Sequence, residues 1–230
     1  MRGKNLKIKG RESLSGAKAA RSPKKAKATM QTLIYQELRR SLMAGAFMPG
    51  AKVTLRSVSG QIGTSVMPVR EAINRLIAER ALEVIGDRQV IVPVMTAEKF
   101  AEIVYWRVEL ESNAARAACR HVTPEVIADL ESINSRMVEA VERDQRDALL
   151  RLNYEFHFRI YHAAGSAILL PMIESLWLQI SPYFNLLQGS GNYVSANSSH
   201  RIAAEALGQG DAASAKAAIR ADIDRARSMS

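Results

Sequence analysis

Two spacings of apolar residues follow one another between residues 49 and 93. The first, at i, i+3, i+4, i+7 and i+8, is typical of a helix with one buried face. It is formed by Val69, Ala72, Ile73, Leu76 and Ile77. The second consists of two short apolar runs, 82–85 and 90–92, around the polar tip Gly86-Asp87-Arg88-Gln89. With the glycine turn Gly63-Thr64-Ser65 before the helix, the pattern predicts a helix-turn-helix followed by a β-hairpin.

The outer face of this predicted helix is polar and basic. Arginine can read guanine and asparagine can read adenine from a helix that lies in the major groove. The hairpin tip has the composition of a wing that touches DNA, and Ser65 is also placed to cap the helix. We therefore predict these DNA contacts: Arg56, Ser65, Met67, Arg70, Asn74 and Arg88. The alternative is a helix-turn-helix used only for packing.

The rest of the chain is predicted to be helical. A first helix begins near Thr29, ends before Pro49-Gly50 and has an apolar face: Met30, Leu33, Ile34, Leu38 and Leu42. Beyond Met95 we predict helices over 97–120, 124–143, 147–164, 167–188, 197–209 and 211–227. The fold class is thus mainly α: a winged helix-turn-helix (three helices plus a β-hairpin), then an antiparallel bundle of about six helices. The predicted domains are 1–28, 29–95 and 96–230.

Charge is distributed unevenly along the chain. The net charge is +9 over residues 1–28, +3 over 29–95 and −3 over 96–230. One end is therefore expected to face phosphate groups. The leader, 1–28, has little to bury and is predicted to be disordered, either as an arm on the DNA backbone or as a solubilising segment. The single Cys119 excludes an internal disulfide, and no apolar run suits a membrane partner, so we expect a cytoplasmic protein.

Two strings in the chain carry a resemblance to a known family. Met48-Pro49-Gly50-Ala51-Lys52-Val53 and Pro68-Val69-Arg70-Glu71-Ala72 resemble the winged helix of GntR-family bacterial transcription regulators. The downstream region resembles the helical effector domain, called FCD, of that family's FadR/VanR branch. Together the two resemblances span roughly residues 30–228.

Four polar residues of the predicted bundle are candidate ligands of a metal or an effector. Asn153 and His157 lie four residues apart and so share a helix face, while His200 and Asp222 lie on later helices. The resemblance matches these positions to a metal site of one Asp and three His. Asn153 replaces the usual Asp and Asp222 replaces a His. The loss of one imidazole should weaken zinc binding in particular. The remaining donors can hold zinc, nickel, manganese or iron. The alternative is a metal-free polar pocket that hydrogen-bonds an effector.

Arg107 and Glu111 match an R-x-x-x-E motif in the first helix of the FCD domain. An arginine on the inner face of a bundle is costly unless it is paired. Arg107 therefore either pairs with Glu111 or presents its guanidinium to the carboxylate of a ligand. The predicted effector-binding set is Arg107, Asn153, His157, His200 and Asp222.

The DNA-binding half departs from the family in two places. Val66 stands where an Arg is usual and Met67 where a Thr is common, so we expect an altered base preference. Arg80-Ala81 replaces the usual Gly after the recognition helix, which is the helix predicted to follow Gly63-Thr64-Ser65. A non-glycine residue there predicts a backbone strain of about 1 kcal/mol.

These observations support one leading function and two alternatives. The leading one is a DNA-binding transcription regulator, most simply a repressor, that binds an inverted repeat as a homodimer and responds to a small organic acid. The first alternative is a metal-dependent helical enzyme with an accessory DNA-binding segment, although no catalytic constellation stands out. The second is an architectural DNA binder without a sensor, to which an acidic half with buried polar groups is poorly suited.

Overall fold

The computed structural model describes residues 29–186 and 193–225, with side chains in the second range described from residue 197. The basic leader, residues 1–28, lies outside the described residues, and its predicted disorder stays a prediction. Among the residues described, no helix is long and apolar enough to cross a membrane.

The N-terminal part of the chain forms three helices and a two-stranded hairpin. Its elements are α1 (Met30–Met43), α2 (Leu55–Ile62), α3 (Val66–Ala78), β1 (Glu83–Ile85) and β2 (Gln89–Ile91). The strands are antiparallel, with Val84 opposite Val90, and Lys52 forms an isolated bridge to Ile91. The predicted winged helix-turn-helix is confirmed, with Gln89 in the second strand instead of the tip.

The buried face of α3 follows the predicted apolar spacing. Val69, Ala72, Ile73 and Leu76 are all buried, whereas Ile77 is half-buried. Gly63 ends α2 in the left-handed conformation, with φ +73°. A residue with a side chain would be strained there, so glycine is the residue that fits the turn between the two helices.

Ser65 occupies the N-cap of α3, but its side chain makes no capping hydrogen bond. The physical reason lies at the third position of the helix. Thr29, Thr54 and Thr96 cap their helices by accepting from the N–H of the third helical residue. In α3 that residue is Pro68, which has no N–H. The predicted capping bond is therefore wrong, and the Ser65 hydroxyl remains exposed.

The turn after α3 is a Schellman motif with arginine in the position that favours glycine. Arg80 has φ +60°. Its N–H donates to the Ile77 carbonyl at 3.0 Å, and the Ala81 N–H donates to the Leu76 carbonyl at 2.9 Å. These two bonds and the buried Ala81 hold the turn in place. The strained turn expected from Arg80-Ala81 is confirmed.

Replacing Arg80 by glycine should relieve this strain. We expect Arg80→Gly to raise the free energy of unfolding by at most about 1 kcal/mol, because glycine adopts φ +60° without steric cost but is more flexible when unfolded. Urea unfolding followed by circular dichroism measures the change. Arg80→Ala is the control, since it removes the same charge but keeps Cβ; equal stability of the two variants would contradict a backbone origin.

The predicted apolar face of α1 is only partly buried. Ile34, Leu38 and Leu42 lie in the core, but Met30 is 54% and Leu33 is 43% exposed. Both belong to the first turn of α1. The helix instead buries Tyr35 and Met43. The expectation that Met30 and Leu33 share the buried face was therefore wrong.

The second part of the chain is a bundle with six α-helices in its described residues. They are α4 (Ala97–Ala118), α5 (Pro124–Glu142), α6 (Arg146–Ala163), α7 (Leu169–Ile180), α8 (Tyr193–Gly208) and α9 (Ala212–Asp224). The predicted helix 167–188 stops at Ile180 and continues as a 3₁₀ turn, Ser181–Asn185. Pro182 has no N–H to extend the α-helical ladder, which explains the change. Residues 187 and 188 lie outside the description.

All six described helices of the bundle contribute buried side chains to its core. Helix α4 packs against α9, α7 and α6, and α8 packs against α9 and α5. The largest fully buried side chains of the bundle include Trp177, Tyr161 and Phe156. Buried polar groups lie beside these aromatic rings, and this is the part of the bundle that contains the candidate site.

Candidate DNA interface and metal centre

The six predicted DNA contacts are all exposed, and together we call them the reading surface: Arg56, Ser65, Met67, Arg70, Asn74 and Arg88. They lie on α2, at the start and along the outer face of α3, and at the hairpin tip. Arg88 has φ +64°, in the turn between the two strands. The arrangement leaves these side chains available to a nucleic acid.

The C-terminal turn of α3 is fixed to α1. The Arg75 guanidinium lies 3.7 Å from the ring centroid of Tyr35, and the Tyr35 hydroxyl donates to Glu79 at 2.5 Å. The cation–π contact adds to the packing of the two helices. Arg75 therefore has a structural contact within the domain, whereas Arg70 and Asn74 lie on the exposed part of α3.

Three polar side chains converge inside the bundle from three different helices. His157 comes from α6, His200 from α8 and Asp222 from α9. The Nε2 atoms of the two histidines are 3.2 Å apart. Asp222 Oδ2 lies 3.2 Å from Nε2 of His157, and Oδ1 lies 3.6 Å from Nε2 of His200. Both imidazoles are buried and the carboxylate is nearly so. We call these three residues the bundle cluster.

The spacing of these atoms fits a bound divalent metal. Tetrahedral zinc with bonds of about 2.0–2.1 Å holds its ligand atoms about 3.3 Å from one another. The two Nε2 atoms are 3.2 Å apart, and the contacts to Asp222, 3.2 Å from His157 to Oδ2 and 3.6 Å from His200 to Oδ1, also lie close to that value and involve both carboxylate oxygens. Two imidazole nitrogens and a carboxylate oxygen are also a donor set that suits first-row divalent metals.

The Nδ1 side of the His157 ring takes part in a series of buried hydrogen bonds. Its Nδ1 lies 2.9 Å from the Tyr161 hydroxyl, which itself donates to Glu111. Because that hydroxyl gives its proton to the carboxylate, its oxygen accepts from Nδ1–H of His157. The neutral imidazole then carries a lone pair on Nε2, directed at His200 and Asp222. A hydrogen bond to the other ring nitrogen is the usual support of a metal-binding histidine.

Glu111 is also the partner of Arg107. The Arg107 guanidinium donates to the two carboxylate oxygens, at 2.6 Å from Nε and 3.2 Å from Nη2. It also lies over the rings of Trp177, at 4.9 Å, and Phe184, at 5.3 Å. Arg107 is 3% and Glu111 0% exposed. The pairing alternative is therefore present in the structure, and a role of Arg107 in effector binding stays a prediction.

Burial and mutual attraction shift the pKa values of the bundle cluster. Burial lowers the pKa of His200, and attraction to Asp222 only partly opposes this. Its imidazole therefore stays neutral to a lower pH than in water, which keeps it available as a ligand. Burial raises the pKa of Asp222, but attraction to His200 and its contacts with both imidazoles outweigh it and hold the pKa well below its usual range. Burial and Glu111 raise the pKa of Tyr161, so it remains a proton donor.

Asn153 is the fourth predicted ligand, and it lies on α6. It lies one turn before His157 on α6 and is half-buried. The hydrogen bonds that join the bundle cluster to Tyr161 and Glu111 do not include its amide. Its role as a ligand of a metal or an effector stays a prediction.

One helical unit, α7 with the following 3₁₀ turn, contacts both the bundle site and the DNA-binding part. Arg39 of α1 pairs with Glu174 at 2.9 Å, and the Nε atom of Arg39 lies 3.6 Å from Glu79, the C-cap of α3. Within the 3₁₀ turn, the Asn185 amide donates to the carbonyls of Gly45, at 2.6 Å, and Phe47, at 3.0 Å. One turn after Glu174, the Trp177 ring lies 5.4 Å from that of His157.

Comparison with known proteins accounts for both parts of this structure. Residues 31–92 match the family model for bacterial regulatory proteins of the gntR family, and residues 102–225 match that for the FCD domain. The chain belongs to the GntR family. Its bundle is an FCD domain, which binds effectors in this family.

Two relatives illustrate the similarity of this GntR regulator to others. It is 32% identical to the HTH-type transcriptional regulator McbR of Escherichia coli over 154 residues, which is 67% of this chain and 70% of McbR. It is 30% identical to the Nta operon transcriptional regulator of Aminobacter aminovorans, over 56% of this chain and 61% of that protein. The solved structure of E. coli McbR/YncC superposes with a TM-score of 0.81 at 26% identity, over 88% of this chain and 97% of McbR/YncC.

This membership decides between the functions considered from the sequence. The related proteins are transcription regulators, so this chain is a DNA-binding regulator and not an enzyme. The FCD domain also argues against an architectural DNA binder without a sensor. Sequence reasoning missed Tyr161 as a site residue. It lies four residues after His157, so a search for hydrogen-bonding side chains one helical turn away would have found it.

Proposed function

We propose that this GntR regulator binds an inverted-repeat operator as a homodimer and that a small organic acid, held at a divalent metal in the FCD domain, controls its affinity for DNA. The observation that carries this proposal is the convergence of His157, His200 and Asp222 at metal-ligand distances. We also assign the chain to the FadR/VanR branch of the family and to the cytoplasm.

The bundle cluster would hold zinc, nickel, manganese or iron through two imidazoles and one carboxylate, with Asn153 as a possible fourth donor from α6. When bound, the metal supplies a positive charge that attracts a carboxylate ligand. Tyr161 and Glu111 keep the Nε2 lone pair of His157 directed at the cluster. The Trp177 ring packs 5.4 Å from the buried imidazole of His157.

The DNA response would pass through α7. Trp177 contacts the site, while Glu174 and Asn185 hold α1 and the loop after it. Arg39 extends this contact to Glu79, at the end of the recognition helix. A small shift of α7 on binding of the acid would therefore move the reading surface relative to the bundle and, in a dimer, change the spacing of the two recognition helices.

An affinity experiment on the full chain tests this proposal. An operator is first selected from random DNA, and its affinity for metal-loaded protein is measured by fluorescence anisotropy with a panel of short-chain mono- and dicarboxylic acids. We expect at least one acid to change the affinity about 5–150-fold, the usual range of allosteric coupling. Titration with a two-fold symmetric operator should show one dimer per site. An operator affinity that is unaffected by every acid would contradict the proposal.

Breaking the contact between α7 and α1 should reduce this response. We expect Glu174→Gln, which removes the carboxylate that Arg39 contacts on α7, to leave the acid-induced thermal shift unchanged while the effect of the acid on DNA affinity shrinks. Glu139→Gln is the matched control, because the exposed Glu139–Arg143 pair lies at the C-terminal end of α5 in the bundle. An unchanged DNA response in Glu174→Gln would mean that the coupling takes another route.

A further inference from the structure

The two residues that begin the recognition helix are apolar and exposed. Val66 is 36% and Met67 is 63% exposed. Neither belongs to the buried face of α3, which consists of Val69, Ala72, Ile73 and Leu76. The other exposed residues of this helix are mostly polar or charged, including Arg70, Glu71, Asn74 and Arg75. The start of α3 therefore differs in chemistry from the rest of its outer face.

Polar groups at the same end of the helix are suited to phosphate. Ser65 makes no side-chain capping bond, and the first turn contains no acidic residue. A hydroxyl and free backbone N–H groups at a helix N-terminus can bind the DNA backbone but carry no sequence information. The side chains of Val66 and Met67 can contribute only van der Waals and hydrophobic contacts. Any base selection by these two residues must therefore depend on an apolar group of the DNA.

Met67 begins a row of exposed side chains along α3. Arg70 follows three residues later and Asn74 four residues after that, so the three lie on one side of the helix. In the major groove, arginine pairs with guanine and asparagine with adenine, whereas the apolar feature is the C5-methyl group of thymine. The row thus offers one apolar contact and two hydrogen-bonding contacts to successive base pairs.

We propose that Met67, with Val66 beside it, is a specificity residue that recognises the C5-methyl group of a thymine in each half-site. The inference rests on DNA binding by the recognition helix, the function established above, and it names the base that the first turn of α3 selects. The contact excludes water from the methyl group and from the thioether side chain. Cytosine and uracil lack this methyl group and lose the contact.

Single-atom changes in the DNA test this inference. An operator is selected from random DNA with the full chain, and each thymine is replaced in turn by deoxyuridine, which removes only the methyl group. At one thymine per half-site we expect affinity to fall about fourfold, the value for one buried CH₂ group. Unchanged affinity at every thymine, or a selected half-site without thymine, would overturn the inference.

Protein variants assign the effect to a residue. With Met67→Ala, the operators with thymine and with deoxyuridine should bind equally, and Val66→Ala should reduce the difference. Arg70→Ala should weaken binding to both DNAs and leave their ratio unchanged. Met172→Ala is the matched methionine control, because Met172 is 49% exposed on α7 of the bundle. A thymine preference that survives in Met67→Ala would overturn the assignment.

The experiment distinguishes a failure of specific DNA binding from a failure of the thymine-methyl contact. If the full chain enriches no sequence, specific DNA binding itself fails and the inference fails with it. If a sequence is enriched but no thymine methyl group contributes, only the inference is overturned. Circular dichroism of Met67→Ala should match that of the unmodified protein, since the side chain lies outside the core.

Discussion

Replacing Glu111 with alanine should lower the free energy of unfolding by about 3–5 kcal/mol, the usual cost of breaking a buried ion pair. The variant leaves the Arg107 guanidinium, which is 3% exposed, without its carboxylate partner. It also removes the acceptor of the Tyr161 hydroxyl. Urea unfolding of the metal-free protein, followed by circular dichroism, measures the loss without a contribution from bound metal.

Two controls separate the charge effect from loss of packing. The double variant Arg107→Leu/Glu111→Leu should be more stable than Glu111→Ala, because it leaves no unpaired buried charge. In the exposed pair, Glu155→Ala should cost less than about 1 kcal/mol, as is usual for surface ion pairs. A loss below about 1 kcal/mol in Glu111→Ala would contradict the buried pair.

Replacing either histidine of the bundle cluster should abolish stoichiometric metal binding. In His157→Ala and His200→Ala only one imidazole and one carboxylate of the cluster remain. Metal at one hundred times its dissociation constant stabilises a folded protein by about 2.7 kcal/mol, and both variants should lose that gain. Elemental analysis after dialysis, and thermal unfolding with and without a chelator, measure the two effects.

A graded series distinguishes the ligands from their support. Tyr161→Phe keeps the ring but removes the hydroxyl that orients His157, so metal affinity should fall about 10–100-fold without being abolished. His162→Ala is the matched control, because this histidine is exposed on the same helix as His157. Loss of metal binding in His162→Ala, or full retention in His157→Ala, would contradict the site.

The spacing of apolar residues along the chain predicted those features of the fold that depend on local sequence pattern. The buried face of α3 followed from the positions of Val69, Ile73 and Leu76, because one side of a helix against a core imposes that period. The strain at Arg80 followed from the family resemblance, which has a glycine after this helix, and Arg80 does have a positive φ. Of the four predicted metal ligands, spacing placed only Asn153 and His157 on one helix face; the family resemblance supplied His200 and Asp222.

Contacts between distant parts of the chain were not predictable in the same way. Tyr161 and Glu111 are 50 residues apart, and their hydrogen bond depends on how α4 packs beside α6. Trp106 lies on α4, whose other face is buried, but is itself 49% exposed and packs edge-to-face on Tyr105. Periodicity identifies candidates for burial, but tertiary packing decides which of them the neighbouring helices cover.

X-ray absorption spectroscopy at the absorption edge of the bound metal tests the proposed metal centre directly. The full chain is loaded with zinc or nickel, dialysed and measured beside His157→Ala and His162→Ala. The bundle cluster predicts one metal per chain with two imidazole ligands at about 2.0–2.1 Å for zinc and oxygen donors completing the shell. That spectrum should be absent in His157→Ala and unchanged in His162→Ala. Protein that retains no metal, or a spectrum without imidazole scattering, would contradict a metal centre at His157, His200 and Asp222.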